Sequence, residues 1–134
     1  MTVHGVERRA LAVPVLLLLV AERPDHGYEL VQRMEAFGWP MTESAHVYRL
    51  LRGMEHDGVV ASSWRASATG PARREYEITP KGAMELALWF MRLGELHSTL
   101  HVFLERYAQL ECADVVRRPG ADRPERPERR RTWP

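Results

Sequence analysis

The chain is poor in cysteine: Cys112 is the only one among its 134 residues. A single thiol makes neither an internal disulfide framework nor a CxxC zinc ribbon, so the fold rests on its own core and a reducing compartment is expected. A membrane-length apolar run is also missing. The stretch from Leu11 to Ala21 covers 11 residues, whereas a span needs roughly 20, so a buried helix is expected there and no membrane partner. No charged leader followed by a cleavable apolar segment opens the sequence, which points to a cytoplasmic protein. Nor is there a glycine-rich phosphate loop, and Ser62-Ser63 has no fixed His-Asp partner pattern. Scattered His and Glu do not make a catalytic set, so neither an enzyme nor a cofactor is expected.

A basic excess is the last absence. Net charge is +1, but residues 117–134 hold seven arginines against three acids. The remaining chain carries 12 basic and 15 acidic residues, a net of −3. Nucleic-acid-binding domains generally show a clear basic excess, so any such reading rests on where particular arginines stand.

What is present is one domain's worth of chain, 45% apolar and 28% charged, the composition of a soluble globular protein. Glu7 to Glu22 is so rich in Leu and Val that a helix buried on nearly every face is expected, with regular structure beginning near Pro14. A second helix is predicted from about His26 to Phe37, with Asp25 as N-cap. Its apolar stripe is Tyr28, Leu30, Val31, Met34 and Phe37, and Glu29, Gln32, Arg33 and Glu35 face outward. Gly38-Trp39-Pro40 ends it. A third helix starts near Thr42, its expected cap, and ends before Gly58, with Val47, Leu50, Leu51 and Met54 inward. Two short helices across a glycine break form a helix-turn-helix candidate. Strand-like runs at Val59–Arg65 and Glu75–Thr79 flank an Ala66–Arg73 tip carrying Thr69-Gly70-Pro71, which predicts a hairpin. That order of elements is a winged helix, mainly α with a small β-hairpin.

Pro80 opens a final helix lasting to about Cys112, capped by Thr79. Leu86, Leu93, Leu100 and Tyr107 fall seven apart, as do Trp89, Leu96, Phe103 and Leu110, giving a and d positions of four heptads. A stripe this long exceeds what so small a domain can bury, so these eight residues are expected to dimerise the chain. The expected organisation is residues 1–79 as winged helix-turn-helix, 80–113 as dimerisation helix, and 114–134 as a disordered Arg/Pro-rich tail.

His26-Gly27-Tyr28-Glu29-Leu30, Val47-Tyr48, Leu50-Leu51, Met54-Glu55 and Gly58-Val59-Val60 stand in register with Ser63-Trp64, Gly70-Pro71, Arg73-Arg74, Tyr76 and Thr79. Over about residues 10 to 85 this pattern resembles the PadR family of bacterial transcriptional regulators. The resemblance implies a homodimeric repressor that releases double-stranded DNA when a small aromatic or cationic effector binds. The chain departs from the family at the recognition helix. Ala45-His46 stands where Gly-Thr is common, and Arg49 where Pro is common, so operator preference does not transfer.

A third helix in the major groove would offer Ser44, His46, Tyr48, Arg49 and Arg52 to DNA, along with Glu43. Arg49 is the expected base reader, since guanidinium bonds guanine O6 and N7 bidentately. Tyr48 is expected to donate to a phosphate. Arg65, Arg73 and Arg74 on the hairpin should meet phosphates or a minor groove, with Lys81 adding a phosphate contact. Glu75 and Glu77 oppose that field. The plain alternative makes Arg49 and Arg52 a solvated face paired with Glu43 or Glu55. Trp89, Phe90, Leu93 and Leu96 could line an apolar ligand pocket between protomers, or simply pack. His97, His101 and Glu105, spaced four apart, raise the alternative of a metal-responsive regulator, although surface histidines are commoner and no metal site is assigned. The competing class is a winged-helix protein-interaction module without DNA binding.

Overall fold

The computed structural model of the chain describes residues 9–112. The arginine-rich tail and the start of the expected Glu7–Glu22 helix lie outside the described residues. Helix α1 (Ala12–Glu22) buries Leu16, Leu17, Leu19 and Val20, as its all-round apolar composition requires. It begins two residues before Pro14. Proline is accommodated there because first-turn N–H groups have no acceptor within the helix.

Next come a two-residue strand β1 (Asp25–His26), helix α2 (Gly27–Met34), two single 3-10 turns (Glu35–Phe37 and Met41–Glu43) and helix α3 (Ser44–His56). The expected caps are corrected here. Asp25 belongs to β1, and its carboxylate accepts bonds from Arg33 Nη1 and the His26 N–H, both at 3.0 Å. Thr42 lies in the second 3-10 turn, and α3 starts without a side-chain cap. Phe37 leaves the inward stripe because the α-helix tightens after Met34, and it is exposed.

Arg33 is a further correction. Its side chain is only 15% exposed, and it donates to the Leu19 carbonyl at 2.8 Å and Glu22 Oε1 at 3.1 Å as well as to Asp25. A guanidinium on the last carbonyls of α1 is favoured by the helix dipole. The bonds therefore hold α1 to the β1–α2 segment.

The two helix-turn-helix ends share one device. Gly38 (φ 95°) and Gly58 (φ 81°) are left-handed. The next N–H in each case reaches back five residues, Trp39 to the Met34 carbonyl and Val59 to that of Met54. This Schellman closure needs glycine at its turning point.

The wing strands are β2 (Val60–Ser67) and β3 (Gly70–Ile78), longer than the sequence reading. The turn is therefore Ala68-Thr69, with Gly70 and Pro71 inside β3, and the register shifts between Arg65 and Ser67. β1 adds to β3 antiparallel, pairing Asp25 with Tyr76 and His26 with Glu75, so the sheet order is β1-β3-β2. Apolar residues of α1, α2 and α3 close over Trp39, Val59, Val60 and Tyr76 to form one core, and among the described residues no polar or charged side chain is buried.

Helix α4 (Pro80–Cys112) is capped by Thr79, whose Oγ1 accepts the Gly82 N–H at 3.0 Å. By its internal contacts the chain divides between residues 93 and 94. In the first unit, Leu86 and Trp89, expected on a seam between chains, pack against this chain's own core. In the second unit, Leu96, Leu100, Phe103, Tyr107 and Leu110 are all exposed, between 42% and 64%. Among the described residues no helix is long and apolar enough to cross a membrane.

Candidate nucleic-acid interface

Helix α3 turns Val47, Leu51 and Met54 into the core. The opposite face, at spacings of four and three, is Ala45, Arg49 and Arg52, all exposed. Ser44, His46 and Tyr48 sit between these faces and are half-buried. The carboxylates that could have neutralised the arginines are engaged elsewhere. Glu55 Oε2 accepts the Ser62 hydroxyl at 2.6 Å, and Glu43 lies 3.9 Å from Arg9. Among the described residues, no carboxylate is within ion-pair distance of Arg49 or Arg52.

The wing arginines are differently placed. Arg65 and Arg73 face each other across β2 and β3, a like-charge pair that is unfavourable by itself. Each is offset by a carboxylate: Arg65 Nε bonds Glu75 Oε1 at 3.0 Å, and Arg73 Nη1 bonds Glu29 Oε2 at 3.2 Å. Arg74 pairs with Trp64 on the other face and holds its guanidinium 5.1 Å from the ring centroid, a cation–π distance.

A cleft of about 520 Å³ opens between α3 and the wing. It gathers four of the expected DNA-contacting residues, Tyr48, Arg52, Arg73 and Arg74. Arg49 instead borders a hollow of about 370 Å³ beside α1 and the start of α4. Arg65 borders a smaller recess on the hairpin. Lys81, exposed, donates to the Asp57 carbonyl at 2.7 Å and so closes the end of α3.

Sequence reasoning missed Tyr28 and Trp64 as cleft residues. Tyr28, expected on the inward stripe of α2, is 54% exposed, and Trp64 is 64% exposed, while Trp39 is buried. Their only signal was membership of the His26–Leu30 and Ser63-Trp64 motifs. Gly27 has a steric role there. A Cβ on it would stand 2.6 Å from Tyr48 Cε1, so the glycine lets the α3 tyrosine lie on the start of α2. That burial, then the nearby Glu29 charge and the Tyr76 and Tyr28 rings, raises the Tyr48 hydroxyl above its ordinary pKa of 10.0. The phenol therefore keeps its proton, and its capacity to donate, at neutral pH.

On α4, Trp89 is half-buried with Arg92 5.3 Å from its ring centroid, whereas neighbouring Phe90 is 77% exposed. His101 Nε2 lies 3.3 Å from Glu105 Oε2. Among the described residues no three metal-ligating side chains converge.

A helix-turn-helix with a β-hairpin wing, both turning arginines to solvent, is a winged-helix fold. The model of the Transcriptional regulator PadR-like family matches residues 15–88. The chain belongs to that family, whose members are regulators and not enzymes. It is 31% identical over 83 residues to Rv1176c of Mycobacterium tuberculosis (strain ATCC 25618 / H37Rv), described as a probable transcriptional regulator. That match takes in 59% of this chain and 43% of the relative, so the chain spans less than half the length of the curated protein it matches. The PadR-like transcriptional regulator BC4206 from Bacillus cereus strain ATCC 14579 is similar in structure, with a TM-score of 0.66, 25% identity, and coverage of 72% of this chain and 93% of that one. A PadR family transcriptional regulator from Eggerthella lenta DSM 2243 is similar at a TM-score of 0.55 and 29% identity, covering 77% and 83% of the two chains.

Proposed function

We propose that this PadR-family protein is a cytoplasmic, homodimeric repressor that binds double-stranded DNA through α3 and the wing. The observation that carries the reading is the pair Arg49 and Arg52. They are exposed on one face of α3 and free of carboxylate partners among the described residues. Arg49 reads a base edge, Arg52 and Tyr48 meet phosphates, and Ser44 and His46 flank them. Arg65, Arg73 and Arg74 follow the backbone from the wing. Lys81, already bonded to the Asp57 carbonyl, contributes its remaining donors. Phosphate contacts of this kind are strongly screened by salt.

The division into a 1–79 DNA-binding region and an 80–113 dimerisation helix belongs to the same reading, as does the 114–134 tail as a solubilising end. Pairing of two chains through Leu93, Leu96, Leu100, Phe103, Tyr107 and Leu110 is supported by the exposure of the last five. It would set two copies of α3 on half-sites roughly 34 Å apart. A small aromatic or cationic effector belongs to the same proposal; of Trp89, Phe90, Leu93 and Leu96, expected to bind it, Phe90 is 77% and Leu96 48% exposed, while Trp89 packs against this chain's own core.

Fluorescence anisotropy on duplexes tiling the chain's own upstream region tests the DNA reading. Wild type should bind one duplex tightly, with affinity falling steeply as salt rises. Arg49→Ala with Arg52→Ala should weaken that binding by roughly thirtyfold or more, since each of the two contacts is worth about 1–3 kcal/mol. Wild type that ignores every duplex at low salt would make the chain a protein-interaction module instead.

A further inference from the structure

Glu29 stands in the first turn of α2, and no step of the reading above uses it. Its Oε2 holds Arg73 Nη1 at 3.2 Å across 44 positions of sequence, tying the wing to α2. Its other oxygen, Oε1, is buried without a hydrogen-bond partner among the described residues. The carboxylate lies beside the cleft shared by Tyr48, Arg52 and Arg73. A DNA phosphate approaching Arg73 would therefore meet a negative charge already seated on that guanidinium. The pair is accessible to solvent, with Glu29 34% and Arg73 52% exposed, so a phosphate can reach and displace it.

We propose that Glu29 is an electrostatic latch on the wing: it holds Arg73 against α2 in the free protein and must give it up to a DNA phosphate on binding. The proposal rests on the DNA-binding reading and adds to it the residue that limits affinity. Because the latch competes with backbone and not with bases, it lowers affinity for every DNA sequence by the same factor. Its effect is to keep non-specific binding weak while leaving discrimination between sequences to α3. Arg65 is also paired, but with Glu75 of its own hairpin, so releasing it leaves the wing–α2 contact intact.

The test uses the full chain as wild type, Glu29→Gln, Arg73→Gln, the double variant and Glu77→Gln. Glu77 is exposed on the same hairpin and has no ion pair among the described residues, so its variant controls for charge alone. Each is titrated by anisotropy against the specific duplex and a scrambled duplex of equal length, at several salt concentrations, with circular dichroism confirming the fold.

Exposed ion pairs are worth about 0.2–1 kcal/mol, so Glu29→Gln should bind both duplexes up to roughly fivefold tighter per wing. The gain should be largest at low salt and vanish in the Arg73→Gln background. An equal gain with Arg73 absent, or one matched by Glu77→Gln, overturns the latch in favour of a general field effect. A gain confined to the specific duplex also overturns it. If wild type binds no duplex with salt sensitivity, the DNA reading itself fails and takes the latch with it.

Discussion

Alanine at Gly82 should destabilise the winged domain, although alanine is the better helix former. Gly82 is buried in the first turn of α4. A Cβ built there falls far inside van der Waals contact of the Val59 carbonyl oxygen, 2.8 Å from Ile78 Cγ1 and 3.0 Å from the Val59 carbonyl carbon. Ile78 can rotate away, but Val59 is backbone, and its oxygen already accepts the Thr79 N–H at 3.2 Å. Overpacking a core contact costs about 1–3 kcal/mol, with the upper end expected where backbone must move. Straining the Thr79 hydrogen bond removes about 1 kcal/mol more, and the helix-propensity gain of about 1 kcal/mol offsets that loss. The net loss is about 2–3 kcal/mol, which for a domain this size lowers Tm by about 10–20 °C. Gly53→Ala is the matched comparison. Nothing lies within 4 Å of its added Cβ on α3, so the same chemical change should raise stability by up to about 1 kcal/mol. Thermal melts followed by circular dichroism, at one fixed protein concentration, separate the two. A Gly82→Ala protein that melts at or above wild type refutes the close seating of α4 on Val59.

Gly27→Ala should push the Tyr48 ring off the start of α2, because the new Cβ would meet Cε1 at 2.6 Å. DNA affinity should fall several-fold with little change in Tm, and a Tyr48→Phe background should show no further loss of the hydroxyl contact. Tyr48 also gives a pH signature. Its folded pKa lies above the unfolded value of 10.0, so above pH 10.0 the native state holds a proton that the unfolded chain releases. Stability should therefore be unaffected below that pH and fall as pH rises through it, more steeply in wild type than in Tyr48→Phe, as urea melts from pH 9 to 11 would show. Leu100→Glu with Phe103→Glu, at two residues exposed 50% and 64%, should convert a dimer to monomer in sedimentation without melting residues 12–93. A variant that stays dimeric would move the seam elsewhere.

The four helices and the hairpin were legible because each carries its own period or punctuation. Val47, Leu51 and Met54 repeat at helical spacing, and Thr79-Pro80 marks the start of α4 from residue type alone. β1 escaped notice because two residues are too few for alternation to register, and losing it turned Asp25 from a sheet residue into a supposed cap. Arg33 looked solvent-facing because helical spacing describes one helix at a time. Its burial comes from Leu19, Glu22 and Asp25, which lie on other segments. The heptads of α4 likewise show that a stripe is apolar but not which surface covers it, so Leu86 and Trp89 could not be assigned to this chain's own core in advance. In the candidate site, the arginines of α3 and the wing were readable from their positions, whereas the Glu29–Arg73 pair depends on tertiary proximity across 44 residues. Tyr28 fits the inward stripe by helical spacing alone, yet it and Trp64 wall an open cleft.

The junction of α3 with α4 has a mechanical consequence. Lys81 donates to the Asp57 carbonyl, the Thr79 hydroxyl to that of Gly58, and the Thr79 amide to that of Val59, so three consecutive carbonyls just after α3 are held by the cap and first turn of α4. Gly82 is seated against the same segment, where a Cβ would meet the Val59 backbone. Turning the opening of α4 away from α3 would break these bonds. The start of α4 is thus bonded directly to the segment that closes α3, the helix that carries Arg49 and Arg52.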